Sequence, residues 1–225
     1  METSKHVIHD IKRVSKDLIE SMKALPTATI HEAYGGKGAV SHYIKPIKAG
    51  MKLCGPVITV KARPGDNLIV HKAIYVARPG DVLLVDTSSF VEAGFWGAIM
   101  TEAAKLRGIA GLVTDGAVRD TDEIAEMGFP VFCQSFSIKG TTKTCLGSIN
   151  HPITFEGVNV EPGDLIIGDS DGVVMVAQRD VPGVLEQARQ REEKEKRIFS
   201  ELRQGKTTLE LYGFSKILER EGLKE

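Results

Sequence analysis

The stretch "TDGAVRDTDEI", residues 114–124, sets an arginine and a carboxylate side by side after an apolar run and a glycine. Neighbouring side chains diverge on a strand or a helix, so a salt bridge is not the expected reason for placing Arg119 beside Asp120. Two separate chemical tools held out from one turn fit better. A guanidinium, protonated at any working pH, can hold a carboxylate or a developing enolate oxygen. An aspartate is a hard oxygen ligand of the kind that holds Mg²⁺ or Mn²⁺ through one carboxylate and several waters. Together they would stabilise negative charge on a 2-oxo acid. The same residues would also suit a surface turn with solvated charges and an Asp capping the next helix.

A second stretch, "GFWGAIMTEAAK", follows the apolar "DVLLVDTSS". Gly94 and Gly97 allow backbone to approach a ligand closely. The helix expected to begin near Ala98 offers free N–H groups, a ready site for a carboxylate or phosphate. Both stretches lie where a buried strand gives way to a polar loop, the usual place for chemistry in α/β proteins.

The elements that would position these groups read as mixed α/β. The apolar residues Ile11, Val14, Leu18, Ile19 and Met22 recur at helical spacing in the opening 25 residues, which stop at Leu25-Pro26. "PTATIHEAYGGKG" reads as a short helix with Thr27 or Thr29 as cap and Gly35-Gly36 as stop. "KLCGPVITVKA", "DVLLVD", "IAGLVT" and "PVFCQS" read as strands. "NLIVHKAIYVA", "WGAIMTEAAKLRG", residues 120–127 and a charged run over about 180–204 read as helices, with short β segments between 145 and 177. Pro-Gly-Asp recurs at 64–66, 79–81 and 162–164. Proline then glycine suits the centre of a type II turn, so these sites read as turns between elements and not as catalysis. No Gly/Ser/Pro linker divides the chain. One α/β domain over 1–180 with a C-terminal helical extension over 181–225 is expected.

Composition narrows the function classes. A formal net charge of −1 in 225 residues argues against a dedicated nucleic-acid binder. No run reaches membrane-spanning length, and the N-terminus lacks the apolar core of a signal peptide. Cys54, Cys133 and Cys145 are scattered and odd in number, so reduced thiols of a cytoplasmic protein are expected, not a disulfide or zinc framework. His31, His42, His71 and His151 show no metal-ligand spacing and read as structural or exposed.

These stretches, with "HEAYGG" (31–36), "RPGDNL" (63–68), "GTTKTCLGSIN" (140–150), "EPGDLIIGDSDGVVMV" (161–176) and "LELYG" (209–213), resemble the class II 4-hydroxy-4-methyl-2-oxoglutarate/4-carboxy-4-hydroxy-2-oxoadipate aldolases. That family also contains the regulator of ribonuclease activity A. The resemblance covers nearly the whole chain. It implies a swivelling β/β/α fold and a trimer, or a hexamer of two trimers, with sites between subunits. It implies a divalent metal, Mg²⁺ or Mn²⁺, held by Asp120, and Arg119 on the keto or enolate oxygen of a small 2-oxo acid. The turn Gly97-Ala98 and the amides of Ile99 and Met100 would take the pyruvate carboxylate, while Glu32, Asn67 and Lys143 line the pocket, Glu32 and Lys143 among the catalytic groups. A glutamate from a neighbouring subunit's C-terminal helix would hold the metal's waters, with Glu195 the best match and Glu192 next. "REEKEKR" also suits a solvated helix face with i,i+4 pairs.

One departure stands out. Where the aldolases place an Asp after the glycine, this chain has Ala98. Glu102, one helical turn on, or Glu92 would be the nearest substitutes. The activity expected from the resemblance is retro-aldol cleavage to pyruvate, or decarboxylation of oxaloacetate. The alternative is a non-catalytic regulator of the ribonuclease-regulator type. A demethylmenaquinone methyltransferase is disfavoured, because no strand leads into a Gly-rich loop with a downstream acid. An intersubunit site further predicts that deletion after about residue 180 abolishes activity while leaving the core folded.

Overall fold

The computed structural model describes residues 6–223. The strands are β1 Lys45–Pro46, β2 Leu53–Lys61, β3 Val82–Asp86, β4 Gly94–Trp96, β5 Gly111–Thr114, β6 Ala117–Val118, β7 Val131–Cys133, β8 Ser135–Phe136, β9 Ser148–Ile149, β10 Ile153–Phe155, β11 Val158–Val160, β12 Leu165–Gly168 and β13 Val173–Val176. The helices are α1 Lys16–Lys23, α2 Thr27–Ala33, α3 Leu68–Val76, α4 Ala98–Leu106, α5 Thr121–Met127, α6 Val181–Arg203, α7 Thr208–Tyr212 and α8 Ser215–Arg220.

The main sheet runs β1-β7-β5-β3-β2-β12-β13, with β9 also paired to β2. Its centre, β2-β3-β5-β7, is parallel, and its flanks are antiparallel. Parallel strands are covered on both faces, which is why "VLLVD" and "GLVT" read as unbroken apolar runs and are buried throughout. Alternate residues serve two cores: Ile58, Val60, Leu83 and Val85 face the cluster under α3, α4 and α5. Val57, Val82, Leu84 and Val113 face the other.

The polypeptide then repeats a device three times. Each of β3, β5 and β7 leads after a short break into a strand of a smaller parallel sheet, β4-β6-β8, stacked in the same order. The cleft described below opens at the rim of that smaller sheet.

The Pro-Gly-Asp sites are the turns expected from the sequence. Gly65, Gly80 and Gly163 sit at φ +77°, +89° and +91°, and Asp66, Asp81 and Asp164 donate their N–H to Arg63, Arg78 and Glu161 carbonyls. Each aspartate carboxylate then accepts a nearby amide, Leu68 N, Arg78 N and Glu161 N, which locks the turn.

Three expectations are corrected. The first helix covers only Lys16–Lys23, capped by Ser15. The segment before it runs extended: Val7 bridges Ile149, and the Asn150 amide donates to the Ile8 carbonyl at 2.7 Å. Residues 1–5 of that expected helix lie outside the described residues. Neither Thr27 nor Thr29 caps α2, whose N-cap is Pro26. The Thr27 amide and hydroxyl are bound by Asp169, at 2.9 and 2.6 Å, and the Thr29 hydroxyl donates to Glu192. A boundary at 180 cuts through a core: Val181, Val184, Leu185 and Ala188 are buried, three of them in a cluster with α1, α2 and β12–β13. Removing everything after about residue 180 therefore strips a core face, and the remainder would not stay folded as expected. The three cysteines are free, and burial pushes the Cys54 and Cys133 thiols up to about 12.

Candidate active site

The first turn of α4, the end of β6 and the loop 137–147 border a cleft of about 140 Å³. Its floor and wall come from Phe95, Trp96 and Met100, all nearly fully buried. Trp96 is fixed from two sides: its indole N–H donates to Thr101 Oγ1 at 2.6 Å, and its ring stacks on Phe129 at 6.1 Å. Thr101 Oγ1 in turn donates to the Gly97 carbonyl at 3.1 Å, so the start of α4 is held at both of its sides.

Gly97 is the N-cap of α4 and Ala98 its first residue. Ile99 and Met100 follow within the first turn, where N–H groups have no carbonyl four residues back inside the helix. The Ile99 side chain is 82% exposed and stands at the rim.

Asp120 has φ 56°, ψ 37°, in the left-handed region that Asp tolerates better than most side chains. It occupies the N-cap position of α5 yet makes no side-chain cap there. Its Oδ2 instead accepts the Ala98 N–H at 3.1 Å, linking α5 to α4. The same backbone bend brings Oδ2 to 3.6 Å from Arg119 Nε, so the two neighbours do pair. The expectation that adjacent side chains diverge holds for regular strand and helix geometry, and Asp120 has neither. Both side chains remain partly exposed, at 45% and 38%. A Cβ on Gly97 would lie 2.5 Å from Asp120 Oδ2 and 3.3 Å from Arg119 Nε, so glycine is what lets the pair reach this position.

The other charges of the opening stretch have different tasks. Asp115 is 3% exposed and accepts Thr87 N, Thr87 Oγ1 and Ser89 N, which holds the loop between β3 and β4. Burial pushes its carboxyl up, against the pull of those hydrogen bonds. Asp122 and Glu123 lie in the first turn of α5, where acidic side chains favour the helix dipole.

On the far side, Asn67 is 5% exposed; its amide nitrogen donates to the Phe95 carbonyl at 2.9 Å and its Oδ1 meets no protein donor. Lys143 reaches the cleft from a loop anchored by Asp66, whose Oδ2 accepts Thr142 Oγ1, Thr144 N and Cys145 N. Burial alone would raise the Asp66 carboxyl, but the Thr144 and Leu68 amides and the Thr142 and Thr144 hydroxyls outweigh it and hold it far below the carboxylate range. His71 also lines the cleft, one helical turn after Asn67. Burial first, and then the Lys143 ammonium, lower its pKa below the ordinary histidine value. Metal-ligand spacing does not single this residue out, but its i,i+4 relation to Asn67 places both on one side of α3.

The cleft thus gathers Asn67, Gly97, Ile99, Met100, Arg119, Asp120 and Lys143. Ala98 contributes its amide to Asp120 and is otherwise 6% exposed. The glutamates lie elsewhere in the chain. Glu32 on α2 forms an ion pair with Arg191 on α6, which also meets Glu195 at 3.1 Å. Glu192 accepts the Thr29 hydroxyl at 2.9 Å. These contacts make a second charged face between α2 and α6, separate from the cleft lining. Glu193 and Lys196 form the i,i+3 pair of a solvated helix face. Glu92 is paired with Lys139 at 2.9 Å, and Glu102 is exposed on α4. Among the described residues, no three His, Cys, Asp or Glu side chains cluster as a metal cage, and no helix is long and apolar enough to cross a membrane.

The site sets a free helix terminus beside an Arg–Asp pair, where a strand of the small parallel sheet ends in a mixed α/β fold. The chain belongs to the RraA-like, Aldolase/RraA family, whose model matches residues 27–175. That span leaves α1 and the end of the chain outside, including the "LELYG" motif. A Halalkalibacterium halodurans protein, named provisionally as a 4-hydroxy-4-methyl-2-oxoglutarate aldolase, is 38% identical over 176 residues, covering 78% of this chain and 84% of the relative. An uncharacterised protein from Pseudomonas syringae has the same fold with TM-score 0.78 at 26% identity, covering 88% of this chain and 97% of that one. Streptomyces coelicolor RraAS2, described as an unusual member of the RNase ES inhibitor RraA protein family, superposes with TM-score 0.76 at 25% identity over 85% and 99% of the two chains.

Proposed function

We propose that this protein is a divalent-metal-dependent lyase that cleaves a small 2-oxo acid to pyruvate, by retro-aldol cleavage or by decarboxylation of oxaloacetate. The observation that carries the reading is the meeting of Arg119, Asp120 and the first turn of α4 at one cleft. The aldolase name carried by the H. halodurans relative points the same way.

The donor set fits Mg²⁺ or Mn²⁺. Asp120 is a partly exposed hard oxygen ligand, and such ions are commonly held by one or two carboxylates, with water and substrate supplying the rest. When bound, the cation supplies Lewis-acid stabilisation of charge on the 2-oxo acid. The chain's own groups do the remainder. The first-turn amides at Ile99 and Met100 receive the substrate carboxylate. Arg119 holds the keto oxygen and its negative charge as the carbon–carbon bond breaks. Asp120 stays aimed by the Ala98 amide, and Phe95, Trp96 and Met100 form the apolar wall beside the enolate. Glu195 and Glu192, which lie apart from the cleft in one chain, join it only if a second copy brings them. The trimer, or hexamer of two trimers, that the family resemblance implies would supply that second copy.

The test is to mix purified protein with Mg²⁺ or Mn²⁺ and oxaloacetate or 4-hydroxy-4-methyl-2-oxoglutarate, coupling pyruvate to a dehydrogenase. Metal-dependent pyruvate that disappears in Asp120→Ala supports the lyase. No pyruvate, or an unaffected Asp120→Ala, refutes it. A second reading, a regulator that binds a ribonuclease, is favoured by Ala98, which leaves the cleft without a second acid. A stable complex with ribonuclease E in the absence of lyase activity would select it.

A further inference from the structure

We propose that His71 is the catalytic proton carrier of this cleft, taking the hydroxyl proton of a 4-hydroxy-2-oxo acid and returning it to the carbon that becomes the pyruvate methyl group. The proposal rests on the lyase reading and adds the residue that moves the proton.

Retro-aldol cleavage needs a group able both to accept and to donate a proton near the operating pH. The polar side chains bordering the cleft leave little choice. Arg119 is a permanent cation and gives no base. Asp120 is engaged by the Ala98 amide and by Arg119. Asn67 is an amide, bonded to the Phe95 carbonyl. Thr141 offers only a hydroxyl. Lys143 is the positive charge felt by His71. Ala98 carries a methyl group at the place an acid was expected, while Glu92 is tied to Lys139 and Glu102 is exposed on α4. The imidazole remains. It is rooted on α3, with its backbone N–H donating to the Asn67 carbonyl at 3.2 Å, so both side chains rise from one helix face into the cleft. The charged groups bordering the same space are Lys143 on the 137–147 loop and Arg119 and Asp120 after β6; α4 brings Ile99 and Met100, which do not titrate. Burial and the Lys143 ammonium favour the neutral ring, the form that accepts a proton at pH 7.

The step balances without another reactant. Neutral His71 takes the C4 hydroxyl proton, the C4–O bond becomes a carbonyl, and the C3–C4 bond breaks. Its electron pair forms the enolate held by Arg119. The imidazolium then returns the same proton to C3, giving pyruvate and restoring the neutral ring.

Wild type, His71→Gln and His71→Asn are compared with Mg²⁺ present. Pyruvate release from 4-hydroxy-4-methyl-2-oxoglutarate is measured, together with exchange of pyruvate methyl protons in D₂O by NMR. Expected is a loss of about 10²-fold or more in kcat, KM within about threefold, a parallel loss of methyl exchange and partial rescue by added imidazole, with oxalate binding and Tm retained. An active wild type with either variant within about threefold of it overturns this proposal alone and leaves the lyase standing. A wild type that yields no pyruvate overturns both. Should neither variant fold, the wild-type His71 ring resonance decides. A titration below the ordinary histidine range that shifts on adding oxalate supports the assignment, and an unmoved resonance refutes it.

Discussion

Gly97→Ala is the most informative single perturbation, because the geometry separates its effect on chemistry from its effect on folding. The backbone at Gly97 is extended, φ −155° and ψ −173°, a conformation alanine accepts without strain. The added methyl, however, would stand 2.5 Å from Asp120 Oδ2, about 0.9 Å inside the 3.4 Å at which ordinary contact begins, and 3.3 Å from Arg119 Nε. Both atoms are ends of flexible side chains, so they give way and the fold survives at a cost of about 1 kcal/mol or less. The carboxylate must retreat by roughly the same 0.9 Å, breaking the Ala98 N–H contact that aims it. A displacement of about 1 Å in a positioned group costs on the order of 10²-fold in rate, or about 2.7 kcal/mol of barrier. The assay is pyruvate release with Mg²⁺, together with Mn²⁺ binding followed by electron paramagnetic resonance and a thermal melt. Expected are a 10²-fold lower kcat, weakened Mn²⁺ binding and a Tm within a few degrees of wild type. A variant with full activity and full Mn²⁺ affinity would refute the argument that Asp120 works from this position. A collapse of Tm would refute the claim that the crowding falls on movable atoms.

Other outcomes follow from contacts outside the Arg119–Asp120 pair. Thr101→Val keeps the shape but orphans the buried Trp96 indole N–H, normally bonded at 2.6 Å; a loss of about 1–3 kcal/mol is expected in urea unfolding. Asp66→Asn turns an amide nitrogen or a weaker acceptor toward the donors of Thr142, Thr144 and Cys145, costing about 2 kcal/mol. Because the Asp66 carboxyl is depressed in the folded state, its stabilisation is present above the unfolded value of about 3.9 and is lost as pH falls through the folded one. The stability gap between wild type and Asp66→Asn should therefore be constant from pH 7 to about 5 and narrow only in stronger acid. Ending the chain after Gln204 removes α7 and α8, which bury no residue, and should leave Tm unchanged. Ending it at Asp180 exposes the pocket filled by Val181, Val184, Leu185 and Ala188 and should abolish cooperative melting.

Much of the framework was legible because its elements follow simple rules. β3 and β5 are unbroken apolar runs, as doubly covered parallel strands must be. α4 is composed of good helix formers ending before Gly108, and α6 is an amphipathic run with Pro182 in its first turn. The small sheet was illegible, since strands of two or three residues carry no periodicity. Helical apolar spacing in residues 8–15 misleads, because those residues form a segment tied to β9 and to Asp81. At the site, Arg119, Asp120 and the α4 turn could be picked out from residue types alone. Their mutual approach could not, because it depends on a left-handed backbone at Asp120 that nothing in the sequence demands. Nor could sequence spacing reveal that Glu32 and Glu195 share Arg191 while Glu192 takes the Thr29 hydroxyl, on a face between α2 and α6.

The threefold break between main-sheet and small-sheet strands has an evolutionary corollary. Hydrophobic mass and hydrogen-bonded register are concentrated in the inner segments, while Arg119 and Asp120 follow β6, and the Gly97 turn follows β4, beyond the interruption. Drift in the outer tier can exchange one reaction, or a binding role, for another without taxing the inner tier that keeps the molecule folded. Relatives named for catalysis and for inhibition are what such a division of labour would be expected to leave behind.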